Sequence, residues 1–177
     1  MTRHAPDQQT AARRVGVEAA GAAFALGSAS ALVSAYWGTG HTGLLDTVGG
    51  ALERAGRAHN VLLLTVVWLS AALKLVAATA GLLAVRQSLR PHNHRFVRAV
   101  GWVAALILTT HGGVLTAVGL LVQADVIHAS ADADRRALRW HAFFWDPWFL
   151  TWGLLLALAL VLTRVRRRSR AVDVETQ

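Results

Sequence analysis

The chain contains no cysteine in its 177 residues. That excludes disulfide staples, thiol redox chemistry and thiolate metal sites. Lysine is nearly missing as well: of 18 basic residues, every one except Lys74 is arginine. No nucleophile elbow, phosphate loop or paired-carboxylate signature occurs, so no motif points to one catalytic chemistry. No convincing internal repeat is found, and no stretch is left over for a separate soluble domain.

What is present is apolar. Hydrophobic residues make up 54% of the chain and the mean hydropathy is +0.41. A soluble domain is usually about 45–50% apolar by a similar count. The excess is concentrated in four runs, at about 15–37, 60–85, 99–124 and 145–163. A bilayer crossing needs about 20 apolar residues. The expected fold is an all-α integral membrane bundle of four transmembrane helices over residues 15–163. A disordered N-tail (1–14) and a basic C-tail (164–177) flank it. Arg13 and Arg14, with Ala-x-Ala spacing near Ala29, have the look of an export signal. The run that follows exceeds the 7–15 residues or so of a signal core, so an uncleaved first helix is expected.

The net charge of +8 could suggest nucleic acid, but the arginines flank apolar runs instead of forming one basic face. No nucleic-acid partner is expected, and the lipid bilayer is. Arginine placement then gives orientation, because basic residues accumulate on the cytoplasmic side. Twelve lie in the N-tail, the second connection and the C-tail; five lie in the other two connections, at Arg54, Arg57, Arg135, Arg136 and Arg139. Six acids accompany those five: Asp46, Glu53, Asp125, Asp132, Asp134 and Asp146. Both termini are expected in the cytoplasm of a multi-pass plasma-membrane protein. Trp37, Trp140, Trp145 and Trp148 fall at the outer ends of the first and fourth spans, as an interfacial belt would. Asp146–Pro147 reads as a helix start, since Asp caps free N–H groups and Pro at the first position loses no hydrogen bond.

Lys74 sits inside the second run, where a charge is costly and calls for a partner or a function. It lies about eleven residues from the inner end of its span, and His111 about twelve from the inner end of the third. At 1.5 Å per residue both are about 16–18 Å deep. The same counting reaches Ser28 in the first span and Thr151–Trp152 in the fourth. The expectation is one polar layer built from Lys74, His111, Ser28 and Trp152. Glu18 is about 12 Å shallower than Lys74, too far for direct pairing. Two readings stay open: a ligand or proton site, or a core in which both bases are simply hydrogen-bonded.

The segment Gly38–Leu52 is glycine-rich and apolar, so it can fold back over the bundle. Asp46 is its only acid and is the first candidate counter-ion for Lys74. The second outer segment, RWHAFFWDPWFLTWG, sets Trp145, Trp148 and Trp152 at helical spacing. With Trp37, His41, His141 and Asp146 these form a candidate outer mouth for a lipid, a quinone or another small amphipathic ligand. The outer histidines His41, His59, His128 and His141 lack a short helical ligand spacing, so neither metal nor cofactor is expected. Ala23, Gly27, Ala31 and Ala35 form a small-residue stripe that lets another backbone approach, either within the chain or in a homodimer.

The segments AYWGTGHTGLLDTVGG, WLSAALKLVAA, HGGVLTAVG and RWHAFFWDPWFLTWG resemble a domain-of-unknown-function family of small four-helix membrane proteins, found mainly in actinobacteria. The resemblance covers about residues 15–163, and the tryptophan-rich segment is its most specific part. It implies a multi-pass plasma-membrane protein and carries no activity, cofactor or catalytic residue. The leading functional expectation is a protein that binds or helps move a small amphipathic ligand or a proton. The alternatives are a membrane-embedded enzyme using Lys74 or His111 as acid or base, and a structural or accessory subunit without a site.

Overall fold

The computed structural model describes residues 5–85 and 91–175, with side chains over 8–85 and 93–163. It is all-α among the described residues. The elements are α1 (Ala5–Gly38), a 3₁₀ turn (Leu45–Thr47), α2 (Gly50–Arg57), α3 (Val61–Val85), α4 (Pro91–Gln123), α5 (Arg135–Trp140), a π-helical turn (His141–Trp145) and α6 (Asp146–Glu175). Four stretches are long and apolar enough to cross a membrane: Gln8–Gly38, Val61–Val85, Asn93–Gln123 and Arg135–Thr163.

The boundaries depart from the sequence reading in instructive ways. Helix α1 begins at Ala5, so residues 5–14 are helical and only 1–4 of the expected disordered tail lie outside the described residues. Ala, Gln and Arg in that stretch are good helix formers. Helix α4 opens on Pro91, a residue favoured at the first helical position. The fourth of these stretches starts at Arg135, ten residues before Trp145. Its cap is Asp134, whose Oδ1 accepts from the backbone N–H of Arg136 (2.9 Å) and Ala137 (3.1 Å). Asp146–Pro147 is therefore not the helix start. Pro147 has no N–H for the Phe143 carbonyl and its ring crowds that carbonyl; the π turn at His141–Trp145 lets the helix run on. Helix α6 then continues through the basic segment to Glu175.

Helix α1 packs antiparallel to α3 and to α6, and α4 packs antiparallel to α6, so α3 and α6 run parallel. Gly16 abuts Leu162, Gly27 abuts Trp152 and Ala78, and Gly38 abuts Trp68. Across the bundle Gly101 meets Leu160, Gly112 meets the Leu150 backbone and Gly119 meets Ala142. Both described ends of the chain therefore lie at one end of the bundle. The 38–61 and 123–135 connections lie at the other, called here the loop end.

Large residues in the core come mainly from α6. Trp152, Leu156 and Leu160 are each 1% exposed or less, in a row against Ala23, Ala78, Ala84 and Ala105. The other helices answer that row with alanine and glycine: Leu156 sits over Gly81, and Trp152 over Gly27. The stripe Ala23–Gly27–Ala31 is consumed in this packing. Ala35, the fourth member of the stripe, is partly exposed. Large side chains instead point outward, including Leu62, Val66, Leu69 and Leu73 of α3 and Val103, Leu106 and Ile107 of α4.

Two glycines separate close approach from open space. A Cβ on Gly112 would collide with the Leu150 backbone, whereas one on Gly21 would meet nothing within 4 Å. Gly112→Ala should destabilise the bundle by about 1–3 kcal/mol through overpacking. Gly21→Ala should stabilise it by about 0.5–1 kcal/mol through reduced chain entropy. Thermal unfolding of the two variants in one detergent checks the opposite signs.

Candidate functional site

Lys74, on α3, donates from Nζ to Oγ of Ser34 on α1 at 2.8 Å. Its ammonium also lies 5.4 Å from the ring centroid of Phe149 on α6, within range of a cation–π contact. The same ring meets His111 of α4 edge-on at 6.0 Å, and Trp152 at 6.4 Å. All four long helices thus contribute to one layer, and Phe149 is its hub. His111 is exposed on the outward side of α4; Ser34 is buried at 3% exposure.

Depth counting nominated Ser28 in place of Ser34. The contacts of Gly27 with Ala78 and Gly38 with Trp68 bring the inner end of α3 level with about Gly21, not with Val15. Correcting that offset moves the α1 member six residues along, from Ser28 to Ser34. Ser28 Oγ and the indole Nε1 of Trp152 are both buried without a hydrogen-bond partner among the described residues.

Asp46 is not the counter-ion of Lys74. Its Oδ2 pairs with Nη2 of Arg136 at 2.9 Å, because the 3₁₀ turn that carries it lies beneath α5. Among the described residues Lys74 has no carboxylate partner. One signal for Phe149 was available: it is placed one turn before Trp152, on the segment already singled out.

The loop end is closed by the first connection. Leu45 is 2% exposed and packs among Trp37, Val67 and Trp145. Trp37 donates to the Gly43 carbonyl (2.8 Å), and Trp145 to Oγ1 of Thr47 (3.1 Å). Thr47 in turn donates to the Leu44 carbonyl (2.5 Å). His141 links the π turn to this plug: Nε2 faces the Val48 carbonyl and Nδ1 faces Oδ1 of buried Asp146, each at 3.3 Å. Both ring nitrogens face acceptors, an arrangement that only the doubly protonated ring satisfies in full. Gly49, with φ +67° and ψ −168°, adopts a conformation nearly confined to glycine and abuts Ala137 of α5. Of the remaining mouth candidates, His41 stacks on Tyr36 at the exposed rim (4.6 Å), and Trp148 turns to the Leu26 carbonyl of α1 (3.2 Å). Among the described residues no three His, Asp or Glu side chains converge as a metal cluster.

The Lys74–Ser34 bond can be tested by a double-mutant cycle. Ser34→Ala should cost about 1–3 kcal/mol, because it leaves a half-buried ammonium without its acceptor. Adding Lys74→Met should recover most of that loss, since an apolar pair carries no such penalty. Additive effects in thermal unfolding would refute the coupling.

No curated protein and no solved structure matches the chain. One family model matches residues 20–156, and its description is a protein of unknown function (DUF3995). The matched stretch includes Ser34, Lys74, His111, Phe149 and Trp152, and the whole plug from Gly43 to Val48 together with the π turn. It spans most of the chain, so this protein belongs to that DUF3995 family of unknown function.

Proposed function

We propose that this chain is a multi-pass plasma-membrane protein, of the actinobacterial kind its sequence resembles, with both termini in the cytoplasm. In this reading it binds a small amphipathic ligand at the Lys74 layer. The observation that carries the proposal is Lys74 itself. An ammonium has three N–H donors, and this one spends a single donor on a serine hydroxyl, with no carboxylate beside it among the described residues. In a hydrocarbon setting such a cation is costly and marks a functional site by default. An acceptor-bearing headgroup would supply what Ser34 leaves unfilled. The partnerless Ser28 Oγ and Trp152 Nε1 add two further polar atoms in the same bundle.

The plug favours ligand binding over movement along the bundle axis. Leu45 and Thr47 fill the loop end, so an axial route from that side would first have to unpack Trp37 and Trp145. Lateral entry is supported instead by His111, exposed on the outward face of α4 and in edge contact with Phe149. An amphipathic molecule dissolved in the bilayer would meet that face directly. Outward leucines and valines on α3 and α4 suit lipid contact.

Two experiments test the two halves. The chain has no native cysteine, so single-cysteine labelling is clean. With a membrane-impermeant maleimide on intact cells, Ser130→Cys should label and Ser169→Cys should label only after permeabilisation. The reverse pattern would overturn the orientation. For binding, native mass spectrometry of protein purified with its lipids should show a retained small molecule on the wild type. Lys74→Met should lose it by about tenfold or more, the scale of one charge-assisted hydrogen bond. Equal retention by both would end the ligand reading.

A further inference from the structure

A second feature lies away from the Lys74 layer, on the outward side of α5 and the π turn. A groove of about 490 Å³ is lined by Arg135, Arg136, Arg139, Trp140, Phe143 and Phe144. Its composition is divided along the helix. Three exposed arginines stand in the first turns. Phe143 follows Arg139 by four residues, about 6 Å further along the axis, and is 62% exposed.

The charge in the groove is only partly neutralised. Arg136 is paired with Asp46 at 2.9 Å, whereas Arg135 and Arg139 have no acidic partner among the described residues. The aromatic side is held in place. Phe144 makes edge-to-face contacts with Trp140 (5.5 Å), Trp145 (5.0 Å) and Trp148 (5.3 Å). Such contacts fix ring positions beyond simple area burial. Phe143 is left over, outward and without a ring partner among the described residues.

We infer that this groove is a binding site for an anionic phospholipid in the leaflet at the loop end. Guanidinium groups match phosphate oxygens through paired N–H donors, and Arg135 and Arg139 have those donors to spare. Phe143 and Trp140 lie where the first methylenes of an acyl chain would follow the headgroup. A zwitterionic lipid offers the same phosphate but also brings a cation towards two uncompensated arginines. A free phosphate ion would use the arginines and gain nothing from the aromatic side. The site shares only the membrane setting with the ligand proposal, and no residue of the Lys74 layer lines it.

The test uses the full chain in detergent, titrated with phosphatidylglycerol or phosphatidylcholine and read by native mass spectrometry. Phosphatidylglycerol should bind more tightly. Arg135→Gln combined with Arg139→Gln should erase roughly twenty- to thirtyfold of that preference, the scale expected of two interfacial arginines. The Arg136–Asp46 pair is untouched in this variant. Phe143→Ser provides an independent arm: it should weaken both lipids while leaving their ratio in place. Lys74→Met should keep the headgroup preference, which separates this site from the proposed one. Equal binding of the two lipids by the wild type, or an unchanged preference in the arginine variant, would overturn the assignment. So would displacement of the lipid by inorganic phosphate as effectively as by phosphatidylglycerol.

Discussion

Close backbone approach is the constraint on which the rest of this bundle depends. Gly112 lies against the backbone of Leu150, and Gly153 against that of Thr109, so α4 and α6 meet nearly main chain to main chain. Gly27 and Gly81 make room for Trp152 and Leu156 in the same way. Small residues at helix contacts are what lipid-embedded helices use, because apolar surface gains little by leaving apolar solvent. The large residues pushed outward are the complement of that choice. In water an outward face of Leu62, Val66, Leu69 and Leu73 would be an aggregation surface; in the proposed bilayer it is the solvated one.

That packing also positions the polar groups. Helix α6 places Phe149 one turn from Trp152, and α1, held at Gly27, sets Ser34 opposite Lys74. The layer is thus a by-product of the same contacts that hold the helices. At the loop end the logic is different. There the plug is fastened by indole and imidazole hydrogen bonds to backbone carbonyls and to Thr47. The Gly43 and Val48 carbonyls and the Thr47 hydroxyl are each met by an aromatic side chain with a polar tip, which helps a non-helical segment to be buried at tolerable cost.

Much of the architecture is legible in the sequence, and the reasons are physical. Four apolar runs separated by polar connections leave little choice of element type, so the helices are readable. Lys74 is readable as an anomaly because its depth is a matter of counting. Its partner is not readable, because counting requires a shared origin. Helix α1 overshoots α3 by about a turn and a half, and only inter-helix contacts such as Gly27 with Ala78 reveal that. The Asp46 expectation failed for a related reason. Both arginines that follow Asp134 are near in sequence to one another but far from Asp46, and only the fold brings Arg136 to it. Asp146–Pro147 misled because a proline preceded by an acid is a common helix start. Here the preceding residues were already helical, and the chain absorbed the proline by widening a turn.

That widened turn has a consequence for how one helix serves two environments. A π turn adds one residue to a helical repeat, which advances everything beyond it by about 100° of rotation. Residues on either side of His141–Trp145 therefore belong to different angular phases of what is otherwise a single rod. Upstream, the phase sets Arg135 and Arg139 on the outside. Downstream, it turns Trp152 and Leu156 into the core. Without the extra residue one of those two faces would be rotated out of register. The widened turn thereby lets a single helix present an outward surface and a packing surface whose angular positions are set independently.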